Sequence, residues 1–230
     1  MNNLKTTKQI HAGVGIEFVH GDLYGVAMDI VKKFVAKSDT RPILQYALHT
    51  SNGDVVATDS YRLIKIENIH GFEQEYIINP KNLMVAKSDR YPDVAKLIET
   101  ANENSFEAIT LNKEHIHLWL NIFKSIMQTM KAMKVVSRNK TVDLQFNKEG
   151  ISVSVDTLKV DFTLPFETYA QPSSLSRIRF NCEYMKDAME AHFKLNSPEV
   201  TIRFTGDMRP FTLSDGVMVT TLVLPVRIYE

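Results

Sequence analysis

Cys182 is the only cysteine of the chain, and it follows Asn181, a residue type that often starts a helix. A thiol at a helix N-terminus can have a lowered pKa and act as a nucleophile. No base stands beside it in sequence, so a small packing residue is the better reading. His115 and His117 are two apart in a stretch of helical period, so they point to different faces and cannot share a metal. His49 and His192 have no Cys or His at ligand spacing. Asp59, in Ala57-Thr58-Asp59-Ser60-Tyr61-Arg62-Leu63, reads as a catalytic acid or, better, as a turn residue holding its own backbone. Gly13-Val14-Gly15 precedes a strand and joins no strand to a helix, so it reads as loop. The sequence contains neither a phosphate loop nor a G-x-S-x-G elbow. These residues assemble no catalytic set, no metal site and no cofactor site, so a non-enzyme without cofactors is expected.

Phosphate chemistry is better represented. Residues 113–140 hold Lys113, Lys124, Lys131, Lys134, Arg138 and Lys140 against Glu114 alone. Within them His117, Asn121, Lys124, Gln128 and Lys131 fall at i, i+4, i+7, i+11 and i+14, one polar stripe without an acid. Cations and amides in a row suit phosphate oxygens, which need donors and no base reading. A solvated helix face is the plainer reading of the stripe taken alone. The missing i,i+4 acids tilt the balance slightly the other way, because solvated helices usually interleave signs.

The elements that must carry these residues follow from periodicity. Strands are expected at 15–20, 41–50, 54–66 and 73–78, with a hairpin turn at Ser51-Asn52-Gly53-Asp54. Helices are expected at 22–37 and 79–88, then a polar connector over 89–104 with one helical turn. The second half reads as strand 105–111, helix 113–134, and strands 141–147, 151–156, 158–165 and 177–180. Helix 182–194 behind the N-cap Asn181 and strands 199–205, 210–214 and 217–228 complete it. Strand, helix and antiparallel strands recur about every hundred residues, a weak internal repeat. The class is α+β, two domains of antiparallel sheet with helices on one face. Residues 1–13 are expected to be loose, 14–100 to form a truncated first domain with its connector, and 101–230 a second domain.

The 230 residues are 44% apolar and 23% charged, ordinary for a globular protein, and 27 basic residues balance 27 acidic ones. A uniformly basic surface is excluded. Charge is nevertheless segregated: the expected helices with their flanks carry seven net positive charges and the remainder seven negative. With one cysteine, no intrachain disulfide forms, which favours a reducing compartment; a cytoplasmic location is expected. The start has no apolar core and no run is long enough to span a membrane.

Arg41-Pro42-Ile43-Leu44, a hairpin, and then Val56-Ala57-Thr58-Asp59-Ser60-Tyr61-Arg62-Leu63 resemble the middle domain of the bacterial DNA polymerase III beta subunit, the sliding clamp, where R-P-x-L precedes A-T-D-G-x-R-L. Tyr91-Pro92-Asp93 resembles the linker into that clamp's last domain. Phe180-Asn181 with Tyr184-Met185 and Asp187-Ala188 resembles its F-N-x-x-Y-L-x-D-A-L helix start. Phe204-Thr205-Gly206 with Arg209-Pro210, and Leu222-Val223-Leu224-Pro225-Val226-Arg227-Ile228, resemble F-T-G-x-x-x-P and the terminal L-P-V-R-L. The five pieces keep the family's order over residues 14–228 and match its last two domains. Ser60 replaces the usual Gly, Cys182 and Glu99 stand where Pro is common, and strands expected after helix 79–88 are missing.

The resemblance implies a clamp-like fold and a processivity factor that encircles duplex DNA without reading its sequence. Helices would line the channel, with DNA contacts from Lys32, Lys33, Lys81, Asn121, Lys124, Gln128 and Lys131. It also implies a pocket for short linear peptides of the DNA polymerase and clamp loader. Leu44, Thr58, Tyr61, Arg62 and Leu63 would form one wall, and Leu222, Leu224, Pro225 and Val226 the other. Without the family, these are ordinary strand residues. Two domains per chain imply a head-to-tail ring of three copies. The alternative is a clamp-derived adaptor or regulator that binds replication proteins without encircling DNA.

Overall fold

Gly53 closes the hairpin between the strands at 47–49 and 55–58 at a φ of +90°, and a Cβ there would lie 2.6 Å from the His70 carbonyl oxygen. Both facts demand glycine. Its N–H donates to Thr50 O (3.1 Å), and Thr50 N–H donates to Asp54 O (2.9 Å), which completes the hairpin turn. The structure is a computed structural model and describes residues 9–11, 14–16, 19–88, 90–103, 105–170 and 175–226. The chain divides into two units, 1–92 and 93–230.

In the first unit, β1 (Gln9–His11) and β2 (Val14–Ile16) form an antiparallel pair, followed by helix α1 (Tyr24–Val31). Then come β3 (Ala47–His49), β4 (Val55–Thr58), β5 (Arg62–Ile66), β6 (Tyr76–Ile78) and β7 (Val85–Ala86). They lie antiparallel in the order β5-β4-β3-β6-β7.

Several expectations need correction here. Residues 9–11 are a strand, where a loose segment was expected; residues 1–8, 12 and 13 lie outside the described residues. The strand expected at 15–20 is β2, two residues of that stretch being outside the description. Helix 22–37 is only α1: after Val31 the amides of Lys33 and Phe34 bond three residues back, and Ala36 N–H leaves to Leu44 O (2.7 Å). Strand 41–50 begins as a 3-10 turn, Pro42–Gln45, because proline fixes φ and has no N–H for a ladder. Strand 54–66 is broken into β4 and β5 by a turn that Asp59 holds, its Oδ1 accepting from Tyr61 N (3.0 Å) and Arg62 N (3.0 Å).

Helix 79–88 does not form. Asn79 Oδ1 accepts from Lys81 N (2.9 Å) and Asn82 Oδ1 from Met84 N (3.1 Å), while Leu83 takes a φ of +60°. Asparagine side chains thus take backbone donors that a helix would use. The segment turns and returns as β7 beside β6, and among the described residues no further strand precedes the next helix, as the missing strands require.

The second unit opens with α2 (Val94–Asn102), β8 (Phe106–Asn112), α3 (Lys113–Ala132), β9 (Thr141–Asn147), β10 (Gly150–Val155) and β11 (Val160–Leu164). It continues through β12 (Thr168–Tyr169), β13 (Arg177–Asn181), α4 (Cys182–Lys194), β14 (Glu199–Phe204), β15 (Phe211–Ser214) and β16 (Val219–Val223). One sheet has the order β11-β10-β9-β13; the other runs β12-β8-β14-β15-β16. The strand–helix–strands pass therefore occurs twice, once through α3 and once through α4.

The connector expected over 89–104 contains a nine-residue helix, α2, and not a single turn. Asp93 caps it, accepting Lys96 N at 3.1 Å. Tyr91, two residues earlier, is tied to the first unit: its hydroxyl reaches Tyr46 O (3.1 Å) and Val56 O (3.3 Å). The division thus falls after Pro92, ahead of the position near residue 100 that composition suggested. Phe180, Phe204 and Phe211 from the sheets and Trp119, Phe123, Met185 and Met189 from the helices share one buried core. The strand expected at 217–228 is β16 up to Val223, after which Pro225 makes only an isolated bridge to Phe180; residues 227–230 lie outside the description. Among the described residues no helix is long and apolar enough to cross a membrane.

Candidate functional site

α3 is amphipathic as its sequence requires. Ile116, Trp119, Leu120, Phe123, Ile126 and Met130 are buried, and Trp119 Nε1 donates to Pro165 O at 2.7 Å. Asn112 caps the helix through Glu114 N (3.1 Å) and His115 N (3.0 Å). The opposite face carries the stripe: His117, Asn121, Gln128 and Lys131 are exposed and Lys124 is half-buried. Asn121 Nδ2 lies 3.1 Å from His117 Nε2, whose ring stacks on Phe193 of α4 with centroids 4.9 Å apart.

The cations of this region differ from those of α4. Among the described residues, Lys113, Lys124, Lys131, Lys134 and Lys140 make no ion pair, whereas Lys186 reaches Asp187 (2.7 Å) and Lys194 reaches Glu190 (3.0 Å). The side chain of Arg138 lies outside the description. Unneutralised ammonium groups on a helix face leave a field that attracts anions within about 10 Å at moderate salt.

The other proposed DNA contacts lie in the first unit, off helices. Lys32 is exposed and Lys33 half-buried just beyond the end of α1, and the Lys33 carbonyl accepts from Arg62 Nη2. Lys81 is exposed in the turn before β7, so its assignment to a helix face is corrected. The segregation of positive helices from negative strands accordingly rests mainly on α3 and its flank.

The first unit also contains a groove of about 610 Å3. Ala36, Ser38, Thr40, Arg41, Leu44, Asp59, Ser60 and Tyr61 line it. Of the expected peptide-binding residues it brings Leu44 and Tyr61 together, the first 4% exposed and the second 61%. Thr58, Arg62 and Leu63 do not line it. Thr58 Oγ1 donates to Arg62 O (2.8 Å), and Leu63 is enclosed in the core. Arg62 is buried, its Nε donating to Asp59 Oδ2 (3.0 Å) and its guanidinium lying 5.2 Å from the Phe34 ring centroid. These three shape the turn that presents Ser60 and Tyr61.

In the second unit Leu222 is buried in β16, Leu224 and Pro225 are half-buried, and Val226 is exposed with its N–H on Arg179 O (2.7 Å). Sequence reasoning missed Ser38, Thr40, Arg41 and Ser60 as groove residues. Arg41 stood inside a quoted motif, but hydrophobic patterning carries no signal for polar loop residues.

The remaining titratable groups are structural. Burial pushes the Cys182 thiol up to about 12, and its Sγ lies 3.9 Å from Phe123 O, in keeping with the packing residue expected from the sequence. His192 Nδ1 sits 3.0 Å from Ser197 Oγ, which donates to Asp215 Oδ2 (2.7 Å); Asp215 Oδ1 accepts from the amides of Val217, Met218 and Val219. A serine that donates to the carboxylate and faces the histidine proton is no activated nucleophile. Among the described residues, no three His, Cys, Asp or Glu side chains are grouped to hold a metal.

No protein-family model matches the chain. It is 24% identical over 253 residues to a beta sliding clamp of Staphylococcus epidermidis, the alignment covering 93% of this chain and 66% of that protein. Among solved structures it is similar to the DNA polymerase sliding clamp from Bacillus subtilis, with a TM-score of 0.70, 22% identity, and coverage of 99% of this chain and 68% of that one. It is also similar to the Helicobacter pylori beta clamp bound to a DNA ligase peptide, with a TM-score of 0.64, 15% identity, and coverage of 92% and 65%. The chain has the sliding-clamp fold, resembles beta sliding clamps over most of its length, and spans 66% of the length of the curated relative it matches.

Proposed function

We propose that the chain is a sliding-clamp-like processivity factor that holds duplex DNA without reading sequence and captures DNA polymerase and clamp loader through short peptides. It performs no chemistry of its own. The observation that carries this reading is the acid-free stripe on α3, with Lys124 and Lys131 unpaired, in a chain with the fold of sliding clamps. Lysine is a point charge on a flexible stem, so its phosphate contacts are mobile, hydrated and screened by salt. Contacts of that kind retain DNA while letting it slip past. Asn121 and Gln128 supply neutral donors between the cations, and Lys32, Lys33 and Lys81 supply further cations.

Self-assembly into a ring, three copies if closed, belongs to this reading. It is supported by two open sheet edges. β7 ends the first unit's sheet with Val85 exposed beside exposed Leu83, Met84, Lys81, Lys87 and Arg90. β11 ends a second-unit sheet with Val160, Asp161 and Thr163 exposed. Open edges on the two units suit head-to-tail pairing between copies. Peptide capture is supported by the groove at Leu44 and Tyr61; the H. pylori clamp named above was solved with a ligase peptide.

A second reading is favoured by one observation. The first unit has a single strand–helix–strands pass where the second has two. A chain so shortened fits an adaptor that binds replication proteins without encircling DNA.

Retention on nicked circular duplex, before and after linearisation, tests the main reading together with light scattering. The wild type is expected to stay on circles as a concentration-stable trimer, and Lys124→Glu with Lys131→Glu to reduce retention at least tenfold at moderate salt. Unchanged retention in the double variant removes the α3 assignment, and a monomer at micromolar concentration favours the adaptor.

A further inference from the structure

Two exposed rings meet at the head of the cationic stripe. His117 of α3 and Phe193 of α4 are stacked, with centroids 4.9 Å apart and planes 15° from parallel. Phe193 is 40% exposed, His117 is exposed as well, and the core of this unit closes without either. Asn121, one turn along α3, holds the histidine: its Nδ2 lies 3.1 Å from His117 Nε2. A ring nitrogen bonds in the plane of its ring, so this contact leaves the faces of the imidazole for stacking. Among the described residues neither ring meets a third aromatic.

The charges beside the pair select its ligand. Lys124 and Lys131 follow His117 by about 10 Å and about 21 Å along the helix axis, at roughly 1.5 Å per residue. Neither lysine makes an ion pair among the described residues. Exposed Asn121 and Gln128 alternate with them. The nearby acids do not oppose an anion there. Glu190, one turn before Phe193, is buried and bonded to Lys194 at 3.0 Å. Glu114 stands in the first turn of α3, on the other side of His117 from the stripe. A flat apolar surface at the head of a row of cations suits a chain in which planar neutral rings alternate with phosphates. In a duplex the bases stack on one another and are closed to a side chain, whereas in a single strand they turn out onto an aromatic ring.

We propose that the His117–Phe193 pair is a stacking platform for an unpaired base, through which α3 and α4 bind single-stranded nucleic acid along the cationic stripe. This goes beyond duplex retention and rests on the stripe of that reading. Phe193 supplies the stacking face, and His117, oriented by Asn121, backs it.

Fluorescence anisotropy on the full chain tests this with two labelled strands of equal length, oligothymidylate and its fully abasic counterpart. They carry the same phosphates and differ only in bases. Oligothymidylate is expected to bind about tenfold tighter. Phe193→Leu keeps an apolar contact with α3 and removes the ring. It should bring the ratio close to one, while the abasic strand keeps its affinity and nicked circular duplex its retention. His117→Ala should lower the ratio without erasing it, and Lys124→Glu with Lys131→Glu should weaken both strands by the same factor. Equal affinity of the wild type for the two strands overturns the platform and leaves the stripe as a backbone contact alone. A preference that survives Phe193→Leu places the base elsewhere and overturns it as well. Binding of neither strand with duplex still retained overturns the platform only, and loss of both strands and duplex overturns the stripe reading with it.

Discussion

The two units solve the same problem with different material. The second runs the strand–helix–strands pass twice, so α3 packs along α4 and their buried faces meet an aromatic core of Trp119, Phe123, Phe146, Phe180, Phe204 and Phe211. The first runs it once, and α1 has no second helix of its own unit beside it among the described residues. Its interior includes His49 and His70, both fully buried with ring centroids 5.0 Å apart, packed with Tyr24 and Phe72. His49 Nε2 meets the Tyr24 hydroxyl at 3.0 Å and its Nδ1 meets Ala47 O at 3.3 Å. His70 Nε2 meets Asp54 O at 3.0 Å, and its Nδ1 accepts from Phe72 N at 3.2 Å. His70 is satisfied only as the neutral tautomer with its proton on Nε2, whereas His49 donates from Nδ1 and meets at Nε2 a hydroxyl that can donate or accept. The half-sized repeat thus closes its core with two histidines whose fit depends on protonation, whereas the double repeat buries one, His192, beside a large hydrocarbon interior.

The largest effect that separates the units comes from cutting each core in turn. Phe123 is fully buried between Trp119 and Phe180. Phe123→Ala is expected to destabilise the second unit by about 3–5 kcal/mol. Trp119 is the only tryptophan and is buried in that unit, so its emission reports the second core alone. In urea the Trp119 transition should move to much lower denaturant. Phe34→Ala, which opens the first core, should move the far-UV circular dichroism transition and leave the Trp119 midpoint in place. Both variants shifting both probes together would mean that the two cores unfold as one, and the contrast drawn above would fail.

The same contrast explains what could be read in advance. α3 and α4 were legible to within two residues because long apolar stripes and the caps Asn112 and Asn181 are local signals. The stripe from His117 to Lys131 was legible for the same reason. In the first unit, decisions were made by side chains that bond their own backbone. Asn79 and Asn82 dissolve a helix, Asp59 splits a strand, and Pro42 turns a strand start into a 3-10 turn. α2 was hidden because its surface is polar: only Val94 and Ala101 are buried. The groove at Arg41 and Ser60 was half-visible through the family resemblance, but loop residues meet there from distant positions, and spacing does not encode that.

Acid should separate the units next. Burial, with His70 beside it, lowers the His49 pKa to about 4, and burial also lowers that of His70. Tyr24, Asp54, Phe72 and Tyr76 border the cluster, and Asp54, which raises the His70 value, also pairs with Lys65 at 3.3 Å. Folded values below the unfolded value of about 6.5 mean that the unfolded chain binds more protons in acid. Stability is then full above pH 6.5 and falls as pH drops toward 4, by on the order of 3 kcal/mol for His49 alone. His192 in the second unit is lowered to about 4 by burial as well, so that unit loses one such contribution where the first loses two. Circular dichroism is therefore expected to report loss of the first unit at a higher pH than the Trp119 emission change. His70→Asn should flatten the pH dependence of the first unit only. Coincident acid transitions would show that the histidine pair does not set the weaker core.

The smallest test addresses the few residues where the units join. Tyr91 is held by first-unit carbonyls, and Asp93 caps the first helix of the second unit. Asp93→Ala removes a side-chain acceptor for Lys96 N–H and should cost about 1 kcal/mol, all of it local to α2. Hydrogen exchange read by NMR is expected to speed about fivefold at the amides of Lys96 and Leu97. The β4 amides, behind Tyr91 in the first unit, should keep their rates. A cap is a bond between neighbours in sequence, so its loss has no route into the other core unless the linker itself is a shared cooperative element. Faster exchange at Val56 or Ala57 in Asp93→Ala would identify it as one, and the boundary after Pro92 would then be a change of composition and not of folding unit.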